Sequence, residues 1–469
     1  MSSLTHKIKR FSTLFRQAII GGEQDYTQTP IDRAIFLLAV PMILEMSMEA
    51  LFAVVDVFFV SLLHDNEAVA TVGLTESMLT VLYSLAMGIG MGATAMVARR
   101  VGEKDLKAAE IAAGQAMIVG LFLSAVITIV GFLFADDLLR LMGASEQLIE
   151  NNAGYTRVML SGNITIVLLF VVNGIFRGAG DASIAMRSLW IANGINMVLD
   201  PLFIFGWGPI PSFGVEGAAI ATNIGRGIGV LYQLYYLQKG HGKINIRFAD
   251  LRAKLDVIRK LIVVSAGGTG QFLIGSASWI FLMRIISDFG SGALAGYTIA
   301  IRVIIFALLP AWGMANASAT LVGQNLGAGS ADRAEQSVWR AAFFNMMFMA
   351  VVTVAFFGLA EPILRLFTTD AEALGNGIQC LKIVSLGYIL YSYGMVITQS
   401  FNGAGDTRTP TVISFIGFWL FQIPMAYALA RIFETGPIGV YIAVSVAESL
   451  MAVAGILIFR QGKWKTVQI

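Results

Sequence analysis

The chain has 469 residues, of which 57% are hydrophobic and 13% charged, whereas a soluble domain carries about a quarter charged residues. That composition excludes a soluble fold, and a formal net charge of +2 gives no grip on nucleic acid. One cysteine, Cys380, builds neither a disulfide nor a cysteine metal site within the chain, and His6, His64 and His241 all fall outside the apolar runs.

Residues 1–33 are polar and mixed in charge (Lys7, Lys9, Arg10, Arg16, Arg33), with no short apolar core ahead of a small-residue cleavage site. They read as a cytoplasmic segment before an uncleaved anchor helix. A span needs about 20 mostly apolar residues. Such runs predict twelve helices, at 34–63, 68–98, 112–134, 153–175, 184–206, 214–238, 258–287, 293–320, 338–359, 380–400, 410–432 and 438–460. Basic residues gather before the first helix, after the second (Arg99, Arg100, Lys104, Lys107), between the sixth and seventh, and after the last (Arg460, Lys463, Lys465). Acids such as Asp65, Glu67, Asp136, Asp137 and Asp370 hold the alternate loops, so both termini are expected in the cytoplasm.

The basic stretch 239–257 divides the chain almost in half, and the halves match at a constant offset of 225 residues. RGAGD at 177–181 recurs as NGAGD at 402–406, Gly102 with Ala109-Glu110 recurs as Gly327 with Ala334-Glu335, and Gly214-Val215 as Gly439-Val440. The expected architecture is therefore an all-α membrane protein made by duplicating a six-helix bundle. An N-lobe spans 34–238, a linker 239–257, a C-lobe 258–460 and a cytoplasmic tail 461–469. Transporter sites commonly lie between such halves.

The repeat is also an internal control on the acids. Glu45, Glu49, Asp56, Glu76 and Asp200 stand opposite Gly270, Ile274, Phe281, Ile301 and Met425, so the intramembrane carboxylates are expected in the first bundle alone. Spacings of four and seven residues put Glu45, Glu49 and Asp56 on one helix face, and Asn196 and Asp200 also share a face, one turn apart. A carboxylate in the membrane is costly and usually functional. Asp56 and Asp200 share a depth in the outer half of the membrane, whereas Glu76 lies nearer an interface. In the second bundle Arg284 and Arg302 are the unusual cations, with Asp288 as the expected partner of Arg284. Met42, Met46 and Met48 suit an adaptable cavity wall.

Several stretches together resemble the multidrug and toxic compound extrusion (MATE) family over essentially the whole chain: Pro41 fifteen residues before Asp56, VVDVFFVSLL around that aspartate, GIFRGAGD with its repeat SFNGAGD, and NGINMVLDPLFIFGWGPIPSFGVEGAAIAT at 193–222. The last is similar to the DinF branch and related archaeal transporters. The resemblance implies two lobes around a V-shaped cavity and cation coupling at Asp56, Asn196 and Asp200, joined by Thr222; Pro41 is the expected hinge at which the first helix bends. It implies no enzyme activity and no cofactor beyond a coupling ion, H+ or Na+, with sodium at Asp56 and Asp200 as the one metal. The expected setting is a bacterial inner membrane, as a monomer, with no nucleic-acid partner. Two departures stand out. The NorM branch is associated with acids in helices seven and ten, where this chain has Gln271 and no acid near Tyr391 to Gln399, and a tyrosine of some relatives is Phe52 here.

The predicted activity is export of amphipathic organic compounds, cationic ones foremost, in exchange for protons or sodium. Glu45, Glu49, Glu76, Gln271 and Met46 are the candidate cavity residues. Two carboxylates in an apolar pocket repel each other and lose hydration, so they hold a cation between them. Two alternatives differ in kind. A flippase for a lipid-linked precursor needs a cationic cavity, and a membrane hydrolase needs a nucleophile and base that this chain does not supply.

Overall fold

The computed structural model describes residues 2–22, 24–63, 65–239, 242–247 and 251–469. They form fifteen helices: α1 (Ser2–Ile20), α2 (Ile31–Ser61), α3 (Asn66–Gly102), α4 (Leu106–Leu141), α5 (Glu146–Ser161), α6 (Ile164–Ala179), α7 (Ala182–Phe205), α8 (Val215–Lys239), α9 (Leu255–Ser287), α10 (Ser291–Gly327), α11 (Ala331–Arg365), α12 (Ala371–Ser385), α13 (Tyr388–Ala404), α14 (Arg408–Ile432, with π-helical turns at 416–422 and 428–432) and α15 (Pro437–Arg460). Among these residues no strand forms beyond one isolated bridge between Trp207 and Ile210. His64 and His241 lie outside the described residues.

Ten stretches are long and apolar enough to cross a membrane, with α5 and α6 running together as one; α12 and α13, bent by 61° at their break, make an eleventh if taken as one span. The twelfth expected helix is α8. Its 25 residues reach about 37 Å, but Glu216, Asn223, Arg226 and Gln233 make it more polar than the other spans. The bundle explains that polarity, because Thr222, Arg226 and Gln233 are buried within it and not turned to lipid. The N-terminal segment, expected as a polar lead, forms helix α1, with the Phe11 ring edge-on to Phe36 of α2 at 5.6 Å.

The duplication recurs in the backbone. Gly180 and Gly405, 225 residues apart, both adopt φ +88° and close α6 and α13 with left-handed caps, which glycine does without steric cost. Two residues earlier, a Cβ on Gly178 would meet the Thr94 carbonyl oxygen at 2.7 Å, and one on Gly403 the Ala319 oxygen at 2.2 Å. The repeated Gly-Ala-Gly-Asp loops are therefore close-approach turns between helices. The breaks also correspond, Gly162 before α6 with Gly387 before α13.

The halves meet at the end of the bundle that carries both termini. A Cβ on Gly102 would lie 2.0 Å from the Gln324 oxygen, and one on Gly327 2.1 Å from the Arg99 oxygen, so the C-terminal ends of α3 and α10 cross backbone on backbone. Arg99 donates to the Ala404 (3.1 Å) and Val467 (3.0 Å) carbonyls, Arg100 to Ile469 (2.8 Å), and Gln324 to Gly178 (2.9 Å). The first part of α2 packs in one core with the second half of the chain, from Ala34 to Met42. Residue α2 Met42–Ile43 fits α10 only because position 313 is glycine, whose Cβ would fall 2.7 Å from the Ile43 Cα.

Candidate functional site

Helix α7 presents Asn196 and Asp200 one turn apart, and α8 brings Thr222 against them. Asp200 is fully buried, as are Asn196 and, nearly so, Thr222. Asn196 Nδ2 donates to Asp200 Oδ1 at 3.2 Å and to Thr222 Oγ1 at 3.1 Å. That leaves Asp200 Oδ2 and Asn196 Oδ1 buried with no hydrogen-bond partner. Buried polar atoms are nearly always satisfied; a proton on the Asp200 carboxyl makes it a donor, and a hard cation is a partner that carboxylate and amide oxygens both accept. Asp56 on α2 is half-buried and lies within the electrostatic reach of Asp200 and Glu76. Among the described residues no cluster of three or more His, Cys, Asp or Glu forms a metal site.

The other two acids of α2 have partners. Glu45, 1% exposed, is gripped by Arg177, whose Nη2 binds Glu45 Oε1 and whose Nε reaches Oε2 at 3.3 Å. Asn173 donates to Glu45 Oε1 at 3.0 Å, and Gln233 donates to Asn173 Oδ1 at 2.6 Å. Glu49 accepts from Asn193 at 3.1 Å and pairs with Arg226 at 3.6 Å. Glu76 is exposed on α3, within the field of Arg302 on α10. Arg284 pairs with Asp288 at 3.8 Å, and Asp288 also binds Arg431.

A central cleft lies between the halves, walled by Met46, Met87, Met91, Phe170, Phe272 and Trp312, with Thr94, Asn316, Gln399 and Asn402 as its polar groups. Arg177 is the charged residue of that lining. Of the candidate cavity residues, Met46 faces this cleft. Gln271 does not; it exchanges amide hydrogen bonds with Asn402 at 3.0 and 3.1 Å, and Asn402 is the residue on the wall. Arg177 and Asn402 are repeat partners at the offset of 225. Pro41 lies inside α2, which runs unbroken through it.

Two findings correct the sequence analysis. Intramembrane carboxylates are not confined to the first half, because Glu448 lies midway along α15; its repeat partner is Asn223, so a comparison started from first-half acids passes over it. The acid stripe of α2 is not uncompensated either, since Arg177 and Arg226 were missed as its partners. The signal was in the repeat: Arg226 faces Met451 at the same offset, as half-specific as the acids themselves.

Comparison with known proteins gives consistent matches. The family model MatE matches residues 41–202 and 270–428. The chain is similar to a probable multidrug resistance protein NorM of Thermotoga maritima, 27% identical over 436 residues and 93% of each chain. It is similar to a probable multidrug resistance protein YoeA of Bacillus subtilis, 26% identical over 452 residues, covering 95% of this chain and 97% of the relative. A crystal structure of MATE in the straight conformation superposes with a TM-score of 0.88 at 29% identity, over 94% of this chain and 98% of that one.

Proposed function

The chain belongs to the MatE family of membrane transporters, and we propose that it exports amphipathic organic compounds in exchange for protons or sodium ions, which bind at Asp56, Asp200, Asn196 and Thr222. The observation that carries this reading is the fully buried Asp200 beside Asn196, each with an oxygen that has no donor, on the same half as Asp56. A carboxylate without a partner in a dry site binds a cation whenever one has access, and repulsion between two of them makes binding depend on which side supplies it. The cleft supports the substrate side of the reading, because methionine and aromatic walls accept flat apolar bodies of varied outline. Its lining offers Arg177 and amides in place of carboxylates, so preference for organic cations has no support at this wall. The protein works, on this reading, in the inner membrane of a bacterium with both termini in the cytoplasm.

The flippase alternative asks for several free cations in the cleft. Arg177 is one cation and is held by Glu45, Arg284 is tied to Asp288, and Arg302 is not among the residues of the cleft wall but lies in the field of Glu76. The deciding test is efflux of ethidium or rhodamine 6G from vesicles containing the purified protein, under pH and sodium gradients imposed separately. Dye movement driven by either gradient, and lost in Asp56→Asn, is the expected result; native protein moving neither dye under either gradient would sink the reading.

A further inference from the structure

Arg226 is the buried cation that this transport reading leaves unused. It sits on α8 one turn beyond Thr222, is 3% exposed, and has no charged counterpart in the second half, where Met451 takes its place. Its guanidinium carbon lies 5.6 Å from the Phe52 ring centroid and 5.5 Å from that of Tyr83. Phe52 is three residues after Glu49 and four before Asp56, so on one helix face the ring stands between the two carboxylates. A guanidinium over that ring is therefore placed between Glu49, which it touches at 3.6 Å, and Asp56, whose field it shares. Tyr83 and Glu76 from α3, Tyr155 from α5 and Asp200 from α7 are the other titratable groups around these acids.

The guanidinium is also only partly satisfied. Nε and Nη1 are buried with no hydrogen-bond partner, while Nη2 pairs with Glu49 and the Tyr83 hydroxyl lies within hydrogen-bonding reach of the group. Two idle donors on a buried, permanently charged group are costly; Tyr83 offers the group only a neutral hydroxyl, whereas Asp56 is the second carboxylate whose field it shares. An ionised Asp56 that turns toward Phe52 satisfies them; an Asp56 that holds a proton or a sodium ion does not need them.

We infer that Arg226 is a positioning residue of the coupling site, a resident counter-cation that takes over Asp56 when the transported ion leaves. The inference rests on the reading of Asp56 and Asp200 as the coupling pair. The entering ion then competes with an internal guanidinium, and release is assisted because the emptied carboxylate has a partner waiting. Without that partner, the site keeps its ion.

The test uses the full-length protein in vesicles, with ethidium or rhodamine 6G efflux followed against external proton and sodium concentrations. Arg226→Met retains the length and apolar stem without the charge. The external ion concentration giving half-maximal rate should fall at least about tenfold, the scale of losing a neighbouring opposite charge, and maximal efflux should drop as ion release becomes limiting. Because Arg226→Met strands Glu49 and risks misfolding, the double variant Glu49→Gln with Arg226→Met removes both charges and should show the same shift. Half-saturation unchanged in both variants would overturn the inference and leave Arg226 as a simple tie to Glu49. Asp56→Asn, run in parallel, separates the two levels: full gradient-driven efflux there overturns the coupling-site reading itself, whatever Arg226 does.

Discussion

A buried carboxylate differs in meaning according to what faces it, and Glu45 and Asp200 are opposite cases. Glu45 is matched by a guanidinium and an amide, so it belongs to a satisfied network, and removing one member strands another. Glu45→Gln should cost about 1–3 kcal/mol by leaving Arg177, 15% exposed at the cleft wall, without its carboxylate. Thermal unfolding in detergent should register that loss, and Glu45→Gln combined with Arg177→Gln should recover most of it. Asp200 has an unsatisfied oxygen, so its substitution acts on coupling more than on folding. Asp200→Asn retains an acceptor for Asn196 but cannot titrate. Equilibrium dye binding should survive while gradient-driven efflux fails, and full efflux in this variant would refute the role proposed for Asp200. The register of Asn196 with Asp200 was legible in the sequence because one helix decides it. Glu45 and Arg177, by contrast, are 132 positions apart, and no periodicity states which distant helix a side chain meets.

At the scale of the element, α2 is the helix with two allegiances. Its first part packs into the core of the second half, while further on the Trp190 indole of α7 donates to the Leu44 carbonyl at 3.0 Å. Pro41 lies near the end of that first part, three residues before Leu44, and proline removes the bond to the carbonyl four residues back, here Leu37. Helix α2 is continuous in this state, so the missing bond is a weakness held straight by its surroundings. Pro41→Ala restores that bond and should raise the unfolding temperature slightly, leave dye binding intact and slow turnover. A turnover equal to native would remove the hinge role. Gly313→Ala tests the same joint from α10; its Cβ meets backbone atoms that cannot rotate away, and overpacking of this kind costs about 1–3 kcal/mol. Helix positions were readable from apolar runs, but the 61° break at Leu386–Gly387 and the π-helical turns of α14 were not. Both are departures from the 3.6-residue period on which such reading depends.

For the whole molecule, the 225-residue offset was enough to predict two related halves, and the backbone repeats it in the caps at Gly180 and Gly405. How the halves lean on each other was not legible, because the contacts of α3 with α10 join residues far apart in the chain, as Gly102 with Gln324, and no periodicity states that pairing. In this state Gly102 and Gly327 let the two backbones cross, and Arg99, Arg100 and Gln324 fasten that end. Alternating access requires the contact to open. Gly327→Leu puts a branched side chain where a Cβ would already lie 2.1 Å from the Arg99 oxygen, so the closed end cannot re-form without moving a helix. The wedge penalises one state and spares the other, and a bias of about 1.4 kcal/mol already changes their ratio tenfold. A cysteine at Asn316 on the cleft wall reports the outcome, since the native Cys380 is fully buried and gives little background. With the native glycine, a membrane-impermeant maleimide should label position 316 mainly from the side opposite the termini. With Gly327→Leu, labelling should shift to the terminal side. Unchanged sidedness would mean that the glycine crossing merely packs the halves and does not gate the cleft.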